Sequence, residues 1–372
     1  MITIKPKETF VVYDNPIPVL RSRHGYFPGL AEMPDGSLCC AFVLAEAFES
    51  VDGTTRMMRS VNGGATWELM PPVYDKTGII PPTSDSMKLT VLSNGRILLF
   101  GYEFGRENPE LPVGNPLTGG LLDDSVIIME SYDGGNTFVN KKEIRCAWGP
   151  HVEASAPMYE LQDGSLATPV TGFNAWDGTF CGIRCGRLLR SFDGGDTFSD
   201  DVICMRFADE RIGCFEQRMA QTDSGMLVNI GWNENLETGE RLNNHYTIST
   251  DNGETFSDPL DTGVRGQASS VTAIGGERVI AVHAVRRDTD RPGIYGYVAD
   301  VTGGGWQKES EPVLLWEPAL PIKKDTKMAE IFSFLKFGQP NVTRLKNGRL
   351  IMTHWAIENG QGIIYATELH LS

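Results

Sequence analysis

The sequence predicts an all-β chain folded as a six-bladed β-propeller, with four antiparallel strands in each blade. Two internal repeats support this prediction. The shorter one is a turn of the form Ser-x-Asp-x-Gly-x-Thr-aromatic, found in four near copies spaced about 60–70 residues apart. The longer one is a hairpin of two apolar strands around a Gly-containing turn, found six times. A long, regular repeat of this kind is typical of propellers and arrays, in which each copy forms one structural unit.

The shorter repeat has the chemistry of a tight turn between two strands. Its copies read SVNGGATW, SYDGGNTF, SFDGGDTF and STDNGETF, and they begin at Ser60, Ser131, Ser191 and Ser249. The Asp side chain can accept hydrogen bonds from its own turn backbone, and the following Gly can adopt positive φ. We therefore expect Asp133, Asp193 and Asp251 to stabilise the fold rather than to take part in chemistry.

The longer repeat gives the number of blades. Its copies are HGYFPGLAEMPDGSLCCAFV from His24, SDSMKLTVLSNGRILLFGYE from Ser84, EASAPMYELQDGSLATPVTG from Glu153, EQRMAQTDSGMLVNIGWNE from Glu216, QASSVTAIGGERVIAVHAV from Gln267 and GQPNVTRLKNGRLIMTHWA from Gly338. Asp-Gly and Asn-Gly turns between apolar runs are strong hairpin signals. Six hairpins predict six blades in a single domain spanning residues 1–372.

The last blade lacks an outer strand, because the chain ends after GIIYATELHLS. The N-terminal segment ITIKPKETFVVY is predicted to supply that strand. Pairing of the two segments would close the ring and remove an exposed sheet edge. The loop from Glu317 to Phe334 is expected to carry a short helix, with sequence KMAEIFSFL.

Composition narrows the class of partner. The net charge is −15, from 33 basic and 48 acidic residues, which argues against nucleic acid and against a polybasic membrane contact. The seven Cys are odd in number and show no CxxC spacing, so we expect reduced, mostly buried thiols. With no apolar N-terminal segment, these thiols favour a cytoplasmic location. The histidines lack HxH or HExxH spacing, so neither a metal nor another cofactor is predicted.

Function is expected at one rim of the central channel. In a propeller the first strand of each blade lines the channel, and its start lies beside the end of the second strand. Glu153 and Glu216 both stand just before a first strand, in neighbouring blades. Two carboxyls held close together on a concave surface acquire different pKa values, as an acid and a base in glycoside hydrolysis require. Asp85 and Asp52 are the other candidate carboxylates.

Further rim residues are candidates for substrate binding. Trp232 and Trp355 could stack on a sugar ring, while Arg218 and Arg286 could bind a carboxylate or hydroxyls. The remaining candidates are polar side chains at the same rim: His24, His151, Asn174, Gln267, His283 and Gln339.

The four turns resemble the Asp-box repeats of the sialidase superfamily, and the resemblance extends over essentially the whole chain. In that family Arg-Ile-Pro opens blade one, where this chain has Tyr26-Phe27-Pro28, and a nucleophilic Tyr enters blade six, where it has Lys336–Pro340 without Tyr. Glu216 matches the Glu that activates the Tyr, and Asp52 lies in the loop of the general-acid Asp. The resemblance therefore implies a sialidase-like hydrolase that is not a true sialidase.

Three functional hypotheses follow. The first is an exo-glycosidase acting on a neutral or weakly acidic sugar terminus, with Glu216 as nucleophile or base and Glu153 as acid. It is similar to the exo-arabinanase family, which uses two rim Glu on the same scaffold. The second is a polysaccharide lyase, with His283 and Arg286 or His24 and Tyr26 as its base and its partner. The third is a glycan-binding propeller without enzymatic activity.

Overall fold

The computed structural model describes residues 2–287, 289–319 and 335–372. These residues form six antiparallel sheets, and their helical content is a short 3-10 turn at Thr302–Gly304. The prediction of an all-β six-bladed propeller is therefore confirmed. The short helix predicted within the loop from Glu317 to Phe334 falls almost entirely outside the described residues. In the described part of the chain, no helix has the length and apolar character needed to cross a lipid bilayer.

The strands follow one another in blade order, and each blade runs from the channel outwards. Blade one holds β2 (His24–Glu32), β3 (Leu38–Ala45), β4 (Thr54–Ser60) and β5 (Glu68–Leu69). Blade two holds β6 (Thr83–Val91), β7 (Ile97–Gly105), β8 (Asp124–Ser131) and β9 (Val139–Ile144). Blade three holds β10 (Val152–Glu153), β11 (Tyr159–Glu160), β12 (Leu166–Gly172), β13 (Gly186–Ser191) and β14 (Ser199–Met205).

The second half of the ring repeats this plan. Blade four holds β15 (Ile212–Gln221), β16 (Leu227–Asn235), β17 (His245–Ser249) and β18 (Leu260–Asp261). Blade five holds β19 (Gln267–Gly275), β20 (Arg278–Val285), β21 (Gly293–Asp300), β22 (Gln307–Lys308) and β23 (Val313–Trp316). Blade six holds β24 (Phe337–Arg344), β25 (Leu350–Glu358) and β26 (Gln361–Leu371), with β1 (Ile4–Tyr13) as its outer strand.

The ring closes as the sequence predicts. β1 pairs antiparallel with β26, and Ile4 lies opposite Leu371 at one end of the pairing. The backbone of Thr3 also exchanges two hydrogen bonds with that of Ser372, at 2.9 and 3.0 Å. Blade six therefore contains the first and last strands of the chain, and β1 covers the edge of β26 and becomes the outer strand of the blade.

The hydrophobic core lies between neighbouring blades. Phe100 of blade two, for example, packs in the same buried cluster as Val152 and Val170 of blade three. Phe100 and both valines are fully buried. Burying a side chain of this size contributes roughly 1.5–3 kcal/mol. These clusters hold adjacent sheets face to face and so fix the geometry of the channel that the first strands line.

The predicted turn forms at the end of the sheets opposite the candidate rim. Asp133 Oδ1 accepts hydrogen bonds from the backbone N–H groups of Asn136 and Thr137, both at 3.0 Å. The Thr137 hydroxyl donates to Asp133 Oδ2 at 2.6 Å. The hydrogen bonds from Thr137 are the main reason that the pKa of Asp133 falls to about 2. The carboxylate thus accepts its hydrogen bonds from groups of its own turn, as expected for a structural residue.

The strands that line the channel are irregular near the candidate rim. The first strand of blade three is split into β10 and β11, and that of blade five, β19, shifts its pairing register between Gln267 and Ser269. The register also shifts within three other first strands, β2, β15 and β24. One residue inside each of these three register shifts has positive φ: Phe27 (54°), Glu216 (43°) and Gln339 (44°). β6 of blade two, in contrast, pairs without a shift from Thr83 to Val91. A bulge re-aims side chains, so blades one, four and six direct atypical groups at the channel.

Candidate functional site

Glu216 occupies the bulge of blade four and is held by two nitrogen donors. The Trp232 indole N–H donates to Glu216 Oε2 at 2.8 Å, and the Gln339 amide donates to Glu216 Oε1 at 2.8 Å. Trp232 stands opposite Phe215 in the hairpin, and their rings stack with centroids 4.5 Å apart. Gln339 comes from blade six, so its contact with Glu216 crosses the ring. Both carboxylate oxygens therefore act as hydrogen-bond acceptors.

Lys88 lies behind this contact, in the middle of β6. Its ammonium donates to Gln339 Oε1 at 3.1 Å and to the backbone carbonyl oxygens of Phe27 and Pro28, at 2.5 and 3.4 Å. The side chain is only 4% exposed. Gly29 leaves room for it, because a Cβ at that position would lie 3.2 Å from Lys88 Cδ. Burial, aided by the charge of Arg218, lowers the pKa of Lys88 to about 7.

Glu153 ends the short strand β10 in a different environment. Its carboxylate is buried, and Oε1 accepts a hydrogen bond from the Ser155 backbone N–H at 2.9 Å. Burial raises the pKa of Glu153 above its ordinary value, and the negative charge of Glu216 raises it further. Arg218 and the Ser155 N–H oppose this rise without cancelling it. Glu153 therefore favours its protonated form more than an exposed Glu does.

Two arginines add positive charge around the carboxyls. Arg218 donates to the Gln217 carbonyl at 2.8 Å, and Arg286 donates to the Phe337 carbonyl at 3.4 Å. Gln267 is buried and accepts a hydrogen bond from the Arg286 backbone N–H, so it supports the arginine's segment. Burial lowers the pKa of Arg286 to about 10, against the opposing charge of Glu216.

The structure adds three residues that sequence reasoning did not select. Lys88 is the first. Tyr102 is half-buried, and burial followed by the charges of Glu153 and Glu216 raises the pKa of its hydroxyl. Asp124 is buried beside Glu153 and accepts a hydrogen bond from the Val152 N–H at 3.0 Å; burial raises its pKa well above the ordinary value. The one available signal was a lysine inside the otherwise apolar run MKLTVL.

The structure gives Asp85 a structural role. Asp85 is fully buried and pairs with Lys76 at 2.6 Å, while its other contacts are the Thr55 N–H at 2.7 Å and the Tyr74 hydroxyl at 2.8 Å. Burial alone would raise the pKa of Asp85, but the charge and hydrogen bond of Lys76 lower it overall. These contacts help to join blades one and two and do not support the catalytic role predicted for Asp85.

Asp52 lies in an exposed turn. It accepts hydrogen bonds from the Ser50 hydroxyl at 2.5 Å and the Glu46 backbone N–H at 3.2 Å. These contacts hold the loop between β3 and β4 in shape. The structure therefore gives no sign of the acid role that the resemblance implied for Asp52.

Two rim candidates are core residues instead. Trp355 is fully buried and its ring contacts those of Tyr26, Phe27 and Phe48, so it offers no open face to a sugar. His283 is fully buried against Tyr297, and burial lowers its pKa to about 3. Strand alternation sends both side chains away from the channel and into the space between blades.

The other polar candidates stand at the margin of the site. The His24 imidazole accepts a hydrogen bond from the Gly362 N–H at 2.8 Å. His151 lies 3.7 Å from Asp123. Asn174 accepts a hydrogen bond from Arg184 at 2.9 Å. His24, His151 and Asn174 are thus held by their own local partners. The candidates that the structure brings together are Glu153, Glu216, Arg218, Trp232, Gln267, Arg286 and Gln339. No group of metal-binding side chains occurs among the described residues.

This arrangement has the elements of acid–base chemistry. One carboxyl is buried with its protonated form favoured, and another is held as an acceptor by two nitrogen donors. The two are close enough that the charge on Glu216 shifts the pKa of Glu153. Environments that push the pKa values of paired carboxyls apart assign them different roles in proton transfer.

Comparisons with known proteins support the fold assignment. No protein-family profile matches this chain. No curated protein sequence matches it either. Among solved structures, a protein of unknown function from Dyadobacter fermentans DSM 18053 is 19% identical, with a TM-score of 0.73 over 99% of both chains.

Two solved structures of named enzymes are also similar. A Penicillium chrysogenum α-L-arabinanase complexed with arabinobiose is 14% identical, with a TM-score of 0.63 over 98% of both chains. A Trypanosoma rangeli sialidase mutant is 15% identical, with a TM-score of 0.61 over 98% of this chain and 57% of that chain. The chain therefore has the sialidase-like six-bladed propeller fold that the arabinanase and sialidase structures share.

Proposed function

We propose that this protein is an exo-acting glycoside hydrolase that cleaves a carbohydrate terminus, with Glu153 as general acid and Glu216 as nucleophile or base. The observation that carries the proposal is the contrast between two neighbouring carboxyls. Burial favours a proton on Glu153, whereas Trp232 and Gln339 both donate to Glu216. Glycoside hydrolysis needs one protonated and one ionised carboxyl on either side of the scissile bond.

The surroundings of the pair suit a sugar. The stacked rings of Trp232 and Phe215 are both partly exposed, and Phe173 lies 6.0 Å from Phe215 between ring centroids. Aromatic faces beside carboxylates and arginines match the apolar faces and hydroxyls of a pyranose or furanose.

Arabinofuranosides are the first substrate class to test. The Penicillium chrysogenum arabinanase and a Fusarium graminearum α-L-arabinofuranosidase of similar fold are both described in complex with arabinobiose. A sialoside fits less well, because Tyr26-Phe27-Pro28 lacks the arginine and Gln339 enters blade six without a tyrosine. Without an anionic substrate that would repel a carboxylate nucleophile, a pair of Glu residues is sufficient.

A panel of arabino-oligosaccharides, neutral aryl glycosides and a sialoside tests the proposal. We expect release of a terminal monosaccharide from one neutral substrate and no turnover by Glu216→Gln. The product anomer followed by proton NMR immediately after mixing would identify a retaining or an inverting reaction. Lys142→Met, at a surface ion pair with Asp196, is a matched control that keeps activity.

Two results would contradict the hydrolase. An unsaturated product that absorbs in the ultraviolet would support the lyase hypothesis. Carbohydrate binding with no turnover of any substrate would support the non-enzymatic hypothesis. The lyase base suggested by sequence has little structural support, since His283 is buried beside Tyr297 and His24 is held by Gly362.

A further inference from the structure

We propose that Lys88 is a positioning residue that orients the Gln339 amide and thereby keeps Glu216 ionised. The electrostatic part of this inference stands on the geometry of the network alone. Its catalytic consequence rests on the function proposed above. Lys88 hydrogen-bonds Gln339, which hydrogen-bonds Glu216, and the opposite charges of Lys88 and Glu216 also attract each other through space.

The two residues that can only donate, Lys88 and Trp232, fix the direction of every hydrogen bond in the network. A charged lysine is only a donor, so the Gln339 oxygen must face Lys88, as observed at 3.1 Å. The amide nitrogen must then face Glu216, where it donates at 2.8 Å. The indole of Trp232 is also only a donor, and its N–H donates a hydrogen bond to the second carboxylate oxygen of Glu216. Two donors pointed at one carboxyl stabilise its charged form.

The backbone shows that this network is built into the fold. Phe27, Glu216 and Gln339 have positive φ, which is unfavourable for non-glycine residues. Lys88 binds the carbonyl oxygen of Phe27 and the side chain of Gln339, and Gln339 binds Glu216. One buried lysine on the regular strand β6 therefore connects the strained bulges of blades one, six and four.

The alternative arrangement of the network has a defined proton balance. If the Gln339 amide turned around, its nitrogen would face Lys88, which must then be a neutral amine with a free lone pair. Its oxygen would face Glu216, which must then carry a proton to donate. One proton leaves Lys88 and one proton joins Glu216, so no proton is gained overall. In the alternative arrangement the charges on Lys88 and Glu216 are lost together, whereas the observed orientation of the amide suits both charges.

Several charged groups bear on this balance. Arg218 disfavours the charge on Lys88, while Cys40, Glu216 and Glu153 favour it. Glu216 in turn faces Arg286 and Tyr102 as well as Glu153. Burial lowers the pKa of Lys88 to about 7, while the charge of Glu216 opposes that fall. The charges on Lys88 and Glu216 therefore stabilise each other.

The first test is the pH profile of Lys88→Met and of Gln339→Met, on the substrate found active. Loss of the charge on Lys88, or of the Gln339 amide, removes a group that favours the ionised form of the Glu216 carboxyl. The acidic limb of kcat/KM should therefore move to higher pH in both variants, and the shift in the double variant should be smaller than the sum of the two single shifts. Lys142→Met is the control whose profile stays unchanged.

The second test does not require activity. The carboxyl carbon of Glu216 is titrated by NMR in protein carrying ¹³C-labelled Glu, and Glu216→Gln identifies the signal. A midpoint raised in both Lys88→Met and Gln339→Met supports the inference even if no substrate is turned over, in which case only the proposed hydrolase fails. An unchanged midpoint in folded Lys88→Met overturns it. If Lys88→Met does not fold, Gln339→Met decides the question in the same way.

Discussion

The two ends of this propeller are built from the same repeated strands, but their carboxylates have hydrogen-bond partners at very different distances along the chain. At the turn end, Asp133 and its counterparts Asp193 and Asp251 are satisfied within their own turns, by partners three or four residues away. At the rim, Glu216 is satisfied by Gln339, which is 123 residues away. A local network stabilises one blade, while a long-range network requires the closed ring. Chemistry that depends on exact placement is therefore expected where partners come from different blades.

The turn end also carries a groove of about 880 Å³, lined by residues that include Asp35, Arg59 and Arg96. Its charges are already paired, since Arg59 binds Asp35 at 2.6 Å and Arg96 binds Glu130 at 3.1 Å. The rim instead holds Glu153, whose burial raises its pKa, beside Glu216, which accepts hydrogen bonds from Trp232 and Gln339. The proposed site therefore rests on these contacts and not on the volume of a groove.

The largest effect should come from separating the roles of the two rim carboxyls. Glu153→Gln removes the acid, so substrates with a poor leaving group should lose about 100- to 10,000-fold in kcat/KM. An activated aryl glycoside needs little protonation and should lose far less. Glu216→Gln should affect both substrates strongly. The measurement is kcat/KM for the two substrate types in each variant, and equal losses in Glu153→Gln would contradict the assigned roles.

A second prediction compares a buried and an exposed carboxylate near the rim that are both held by structural contacts. Asp85→Ala should lower the free energy of unfolding by about 1–3 kcal/mol, because it leaves the buried Thr55 N–H without its acceptor and removes the ion partner of the partly exposed Lys76. Asp52→Ala, in an exposed loop, should change it by less than about 0.5 kcal/mol. Urea denaturation of both variants measures this difference. Equal stabilities would show that the contacts of Asp85 are not what holds blades one and two together.

A third prediction compares the two ends of the molecule directly. Asp193→Ala removes the acceptor for the Thr197 N–H and hydroxyl, at 2.9 and 2.6 Å, and should lower the thermal midpoint of unfolding. Turnover at a temperature where the variant is folded should be preserved. Calorimetry and initial rates measure the two quantities on one sample. Normal stability with lost turnover would reverse the structural assignment of the turn.

The smallest effect is expected from pH. The pKa of Asp133 is lowered from its ordinary value of 3.8 to about 2, so its turn contributes stability that is complete above pH 4. That contribution is lost as the pH falls from about 4 towards 2, because the folded state must then take up a proton it binds poorly. Asp133→Asn should flatten the dependence of stability on pH in this window. An identical slope in variant and wild type would exclude this residue as a source of acid sensitivity.

The fold was predictable because its signals are local and repeated. Glycine-containing hairpins occur six times, and each marks a turn with defined backbone geometry. Closure by β1 followed from the missing outer strand of blade six. Each of these hairpins can be recognised from its own residues, without knowing the structure of the other blades.

The site was only partly predictable. Glu153, Glu216 and Gln339 were found because they lie at one phase of the repeat. Trp355 was misplaced because strand alternation decides between channel and core, and a register shift in β24, the strand paired with β25, changes which residues face each other. Lys88 was missed because its partners are backbone carbonyl oxygens and an amide from other blades. Contacts of that kind leave no pattern along the chain.

The hydrogen bond from Trp232 to Glu216 has a practical consequence. Indole fluorescence responds to the charge of a group bound at its nitrogen, so the emission of this ring should report the ionisation of the carboxyl. The chain has seven tryptophans, and the difference spectrum between wild type and Trp232→Phe isolates this one. The fluorescence emission of Trp232 should therefore change when a ligand or a proton binds at Glu216. This change can be measured by titration without a substrate.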